Sequence, residues 1–95
     1  MVTLHLGNNV SVPAADIIGI FDLDNASTAR ATRDFLRGAQ EEGMVVPVGS
    51  ELPKSFAVCC PRGSWQRVYL SPLAPATLLG RLEAAPFSHA DRRSM

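Results

Sequence analysis

Apolar and polar residues alternate from the start of the chain. Leu4 and Leu6 fall on one side of an extended segment and Thr3 and His5 on the other, which predicts a short strand. Gly7-Asn8-Asn9, residues that tolerate positive φ, come next, and the alternation resumes over Val10 to Val12, so the two segments predict a hairpin. Pro13 to Asp16 interrupts the pattern. Ile17-Ile18-Gly19-Ile20-Phe21 is then apolar wherever it is not glycine, as expected of a strand covered on both faces. The period changes after that. Asn25 or Ser27 can cap a helix running from about Thr28 to Glu42, and Gly43 is well placed to end it. Ala31, Phe35 and Ala39 share one stripe of this helix, with Leu36 and Thr32 beside it, and that stripe is the predicted buried face. Met44 to Val48 reads as a strand and Gly49 to Lys54 as a turn carrying Pro53. Ser55 to Cys60 and Trp65 to Leu70 form a second hairpin across Pro61-Arg62-Gly63-Ser64. Pro75 suits the first turn of a last helix over about Ala76 to Ala84, with Leu78, Leu79 and Leu82 apolar, and Pro86 stops it. The order β-β-β-α-β-β-β-α predicts an α+β protein: one small domain over residues 1–85, a mostly antiparallel sheet with two helices, and a polar, flexible tail over residues 86–95.

Composition narrows the function classes. The chain has 95 residues, with nine basic and nine acidic side chains and a formal net charge of zero. That size excludes a two-domain enzyme, and the charge balance excludes a globally basic nucleic-acid binder. With 46% hydrophobic residues the chain can build a core, so general disorder is excluded as well. The longest apolar or glycine run, Ile17 to Phe21, falls far short of the ~20 residues a bilayer span needs, so no membrane is expected. Met1-Val2-Thr3-Leu4-His5 lacks the charged and apolar regions of a secretory signal, which leads to a cytoplasmic expectation.

Several residue groups invite a chemical reading. Ile20-Phe21-Asp22-Leu23-Asp24 places two carboxylates after an apolar strand, on the same side of it, as phosphatases of the haloacid-dehalogenase type do around magnesium. Asn25-Ala26 replaces the small residue and threonine such sites carry, no later acidic cluster follows, and the chain is too short for that fold. Asp22, Asp24 and Asn25 are therefore read as a strand-to-helix turn. Cys59-Cys60 are adjacent, lack zinc or redox spacing, and should point one inward and one outward. His5 and His89 have no evident partner. No catalytic residue, metal site, cofactor or small-molecule substrate is expected. What remains is arginine placement: Arg30, Arg33 and Arg37 line one flank of the first helix, where guanidinium groups can fork onto phosphates. Asp34 and Glu41, four residues after Arg30 and Arg37, offer the competing explanation of intrahelical pairs. Trp65 stands between Arg62 and Arg67, either as a packing anchor or as a surface for stacking on a base.

The stretches Leu4-His5-Leu6-Gly7-Asn8, Asp16 to Asp22, Leu52-Pro53-Lys54-Ser55-Phe56 and Val68-Tyr69-Leu70-Ser71-Pro72-Leu73 occur in an order that resembles the RemA/RemB family of bacterial extracellular-matrix regulators. Phe35-Leu36, Glu42-Gly43 and Thr77 to Leu82 extend the resemblance, which covers residues 4–82 and is closer to the RemB (YaaB-type) branch. The resemblance implies a bacterial regulator of biofilm-matrix genes, without enzymatic activity. It also implies a homo-oligomer, since RemA-type relatives assemble into rings that present basic residues to DNA. RemA-type members carry an arginine-rich turn before the strand matching Ser55 to Cys60. This chain has Glu51-Leu52-Pro53-Lys54-Ser55 there, so Lys54 alone stands in for the cluster. The candidate nucleic-acid contacts are thus Lys54, Arg30, Arg33 and Arg37. The alternative is an oligomeric module that binds a regulatory protein partner and does not touch DNA.

Overall fold

The computed structural model describes residues 2–23, 29–62 and 64–83. Strand β1 (Thr3–Gly7) pairs antiparallel with β2 (Val10–Pro13) as a two-stranded sheet, with Leu4 opposite Val12 and Gly7 opposite Val10. Asn8 and Asn9 turn the corner with φ of 48° and 66°, the two positive values a tight hairpin turn demands. A 3-10 turn over Ala14–Asp16 follows, where Pro13 had marked the break.

The main sheet contains β3 (Ile17–Asp22), β4 (Val45–Pro47), β5 (Ser55–Cys59) and β6 (Arg67–Ser71), in the order β3-β5-β6-β4. β3 with β5 and β5 with β6 are antiparallel, and β6 with β4 is parallel. It follows that β3 and β4 run the same way at opposite edges. Helix α1 (Arg30–Glu41) joins them across one face, and the β5–β6 hairpin fills the space between: a split β-α-β unit. Helix α2 (Pro75–Glu83) lies on the other face, with Pro75 in its first turn.

The core has two parts, one on each side of the sheet. Ala57 and Cys59 face Leu4, Leu6, Val12, Val48 and Leu78, so the small hairpin and α2 cover that side. Phe56 and Val58 face Ala39 on α1, with Leu36, Met44 and Leu70 closing around them. All five residues of β5 are buried, because successive side chains enter alternate layers. The fold is α+β with a mostly antiparallel sheet and two helices.

Four expectations are corrected. β3 is an edge strand and is not covered on both faces: Ile18 is 65% exposed and Phe21 43%. A bulge between Ile17 and Gly19 sets Ile18 apart, and Ile17 and Ile20 both pack on the hairpin side of the sheet. Helix α1 begins at Arg30 behind Ala29, which offers no side-chain cap; Thr28, Asn25 and Ser27 lie outside the described residues. The buried stripe of α1 is narrower than its periodicity suggests, since Leu36 and Ala39 pack while Ala31 and Phe35 remain exposed. Trp65 precedes β6 instead of opening it, and it is 83% exposed, so it is not a packing anchor. The tail over residues 86–95, with His89, lies outside the described residues, as do Asp24 and the turn residue Gly63.

Candidate nucleic-acid interface

Lys54 immediately precedes β5, and its backbone is held on both sides. Its N–H donates to the Ser71 carbonyl at 2.8 Å and its carbonyl accepts from the Leu23 N–H at 3.0 Å. The main chain is thus fixed between the end of β3 and the end of β6 while the side chain projects into solvent. Pro53 before it restricts the turn further. The fixed backbone sets where the cation emerges, while its four-carbon stem stays free to turn. Glu51 and Leu52 share the loop, and Leu52 is exposed.

Leu23, just after β3, is bonded to Lys54, and α1 begins at Arg30, seven residues further along the chain. All three arginines are exposed. Asp34 lies between two of them, 4.0 Å from Arg30 and 3.7 Å from Arg37. Exposed pairs at such distances are weak, typically ~0.2–1 kcal/mol, and phosphates can displace them. The expected intrahelical pairing is therefore present for Arg30 and Asp34. Arg37 bonds back to the same Asp34 across three residues.

The cysteines divide as their adjacency implied: Cys59 is buried in the core and Cys60 is exposed, both as free thiols. Burial, with the Asp16 carboxylate adding to it, pushes the Cys59 thiol up to about 11. Its nucleophilic thiolate is thereby suppressed. Asp22 ends β3 opposite Ser55 as part of the strand ladder. Among the described residues no three histidine, cysteine or acidic side chains gather where they could hold a metal ion. None of the described helices is long and apolar enough to cross a membrane.

Two surface clefts were not anticipated from the sequence. One, of about 350 Å³, opens between β3 and α1 and is lined by Ile18, Phe21, Ala31, Thr32, Phe35, Phe56 and Val58. Phe21 stacks on Phe56 inside it, ring centres 5.0 Å apart. Gly19 makes that placement possible, because a Cβ there would sit 2.8 Å from the Phe21 ring. The other, of about 520 Å³, is lined by Glu42, Gly43, Met44, Trp65, Gln66 and Arg67. The first was legible only as surplus apolar residues in β3 and α1, and the second as a tryptophan set between arginines.

No protein-family model matches the chain. It is 35% identical over 80 residues to Extracellular matrix regulatory protein B of Bacillus subtilis, spanning 84% of this chain and 89% of that protein. A relative of that identity, covering so much of both chains, shows that this protein belongs to the RemA/RemB family of bacterial extracellular-matrix regulatory proteins.

Proposed function

We propose that this protein regulates extracellular-matrix genes without catalysis, binding DNA as a homo-oligomer. Lys54, Arg30, Arg33 and Arg37 make phosphate contacts. The relative's description as a matrix regulatory protein supports the regulatory part of this reading. The observation that carries DNA contact is the exposed Lys54 on a backbone held to Leu23 and Ser71, together with three exposed arginines on α1. Four cations per subunit give weak binding alone, but copies held together multiply the phosphates neutralised at once. A net charge of zero is compatible with this, because the distribution of charge decides whether a surface attracts a polyanion.

A second reading, an oligomeric module for a regulatory protein partner, is favoured by one observation. Asp34 engages both Arg30 and Arg37 and lowers the positive potential of the row.

The test is DNA affinity of the purified protein as a function of salt, with Lys54→Glu and Arg33→Glu measured in parallel. Under the DNA-binding reading, log affinity falls linearly with log salt, and each reversal weakens binding to all sequences and reduces the slope by about one. Oligomer mass is unchanged in both variants. An intact oligomer that binds no DNA at low salt transfers the function to the protein-partner reading.

A further inference from the structure

We propose that the cleft beside Trp65 binds a guanine nucleotide: the base stacks on the Trp65 ring, Glu42 accepts from its Watson–Crick edge, and Arg67 takes the phosphate. The inference does not rest on the phosphate contacts of Lys54 and α1. Trp65 lies two residues before β6, whereas Lys54 is bonded to Ser71, the last residue of that strand. The cleft and Lys54 therefore stand at opposite ends of β6.

Two segments distant in sequence build the cleft, and backbone bonds fix them together. One is the exit of α1, where the N–H groups of Glu42, Gly43 and Met44 bond back to the carbonyls of Gly38, Gln40 and Ala39. The other is the entry to β6, with Trp65, Gln66 and Arg67. The Val68 N–H donates to the Met44 carbonyl at 2.9 Å and holds the two side by side. The resulting cleft, about 520 Å³, falls within the range of ~300–1,000 Å³ usual for small-molecule sites.

The lining groups suit a flat ligand that carries both N–H donors and an anion. Trp65 is 83% exposed, and so open a ring keeps a face for a planar partner, which every nucleobase supplies. Glu42 and Arg67 bring opposite charges to the same cleft. Among the described residues neither forms an ion pair, with the other or with a neighbour. The carboxylate is left to accept and the guanidinium to fork onto a phosphate.

Electrostatics give the ligand its direction and its base. Glu42 follows the last residue of α1, where the helix carbonyls add partial negative charge. That wall suits N–H donors and repels phosphate, which turns to Arg67 on the opposite wall. Guanine alone among the DNA bases presents two adjacent N–H donors, N1 and N2, on its Watson–Crick edge, and one carboxylate accepts both. Adenine, cytosine and thymine each offer a single donor group there. Gln66, half-buried in the cleft, has an amide that can donate to the guanine carbonyl. This chemistry has two sources, a free guanine nucleotide and an unpaired guanine in a DNA strand.

The chain has a single tryptophan, so its emission reports on this cleft alone. The full chain is titrated at fixed salt with GMP, and with a DNA hairpin holding one unpaired guanine in its loop. AMP, CMP, TMP and hairpins with the other bases at that position serve as comparisons. The guanine probe is expected to quench emission saturably and to bind about tenfold more tightly than the others. By calorimetry, Glu42→Gln should remove that preference and Trp65→Ala should abolish binding. Arg67→Glu should weaken GMP about tenfold and leave guanosine, which lacks the phosphate, unaffected. Circular dichroism checks that all three variants fold. Quenching by GMP identifies the free nucleotide as the source, and quenching by the guanine hairpin alone identifies an unpaired base in DNA. If neither probe quenches at millimolar concentration, or if all the bases bind equally, the proposal is overturned. The salt dependence of DNA binding in Lys54→Glu tests the earlier reading separately, so the two can fail independently.

Discussion

Adjacent residues in this chain have opposite fates, and the cysteines show it most directly. Cys59 lies in the core against Ala57 and Leu78 while Cys60 faces solvent, because neighbouring strand positions point to opposite sides. A thiol reagent at pH 8 should modify Cys60 in the folded protein and reach Cys59 only after unfolding; mass spectrometry of the labelled chain checks this. The raised Cys59 pKa also has a consequence for stability. The unfolded thiol ionises near 9.0 and the folded one near 11, so above pH 9 the unfolded state holds fewer protons than the native state. The Cys59 contribution is complete below pH 9 and is lost as pH rises towards 11. Denaturation midpoints should fall across that window, and Cys59→Ala should flatten this part of the profile. Trp65 and Lys54 show what a sequence leaves open at this scale. An aromatic near a hairpin is equally at home inside or outside, and only the start of β6 at Arg67 put Trp65 in solvent.

Helix α1 exposes the difference between a pattern and its use. Its apolar residues cover a wide stripe, yet Leu36 and Ala39 suffice to pack on Phe56 and Val58, leaving Ala31 and Phe35 to line the cleft. Its C-terminus follows the sequence closely. Gly43 adopts φ +73°, its N–H donates to the Gln40 carbonyl at 3.1 Å, and the Met44 N–H reaches the Ala39 carbonyl at 2.9 Å. Two glycines near this end should respond in opposite ways to alanine. Gly38 lies within the helix with open space around it, so Gly38→Ala should stabilise the protein by about 0.5–1 kcal/mol. Gly43 also has open space, but its left-handed backbone makes Gly43→Ala cost about 1–2 kcal/mol. Urea denaturation of both variants distinguishes a conformational cause from a steric one, since neither new methyl group meets a neighbour.

Over the whole molecule, the two sheets are joined through a buried serine. The Ser71 hydroxyl donates to the Leu6 carbonyl at 2.6 Å and accepts from the Leu73 N–H at 3.1 Å, tying the end of β6 to the small hairpin. Ser55 does the same locally by donating to the Leu73 carbonyl at 2.8 Å. Both side chains are fully buried, where a polar group without a partner is costly. Ser71→Ala should therefore destabilise by about 1–3 kcal/mol, measured by denaturant unfolding, although it removes a single oxygen. Arg81 adds a weaker tie from α2, donating to the His5 carbonyl at 3.2 Å.

The sequence by itself determined the element order, both hairpins, the α+β class and the family resemblance, because each depends on local rules: alternation, helical period, and turn residues such as Asn8, Asn9 and Gly43. It also determined that Cys59 and Cys60 diverge. Tertiary structure decided which apolar residues find partners. Ile17 to Phe21 looked like an interior strand, and its composition is the same whether the covering surface comes from this chain or from another. Only the strand order β3-β5-β6-β4 shows that β3 is an edge and that β5 takes the central place. The same order brings Phe21 of β3 onto Phe56 of β5, a juxtaposition no local pattern encodes, because residues 21 and 56 are related only by how the strands are arranged.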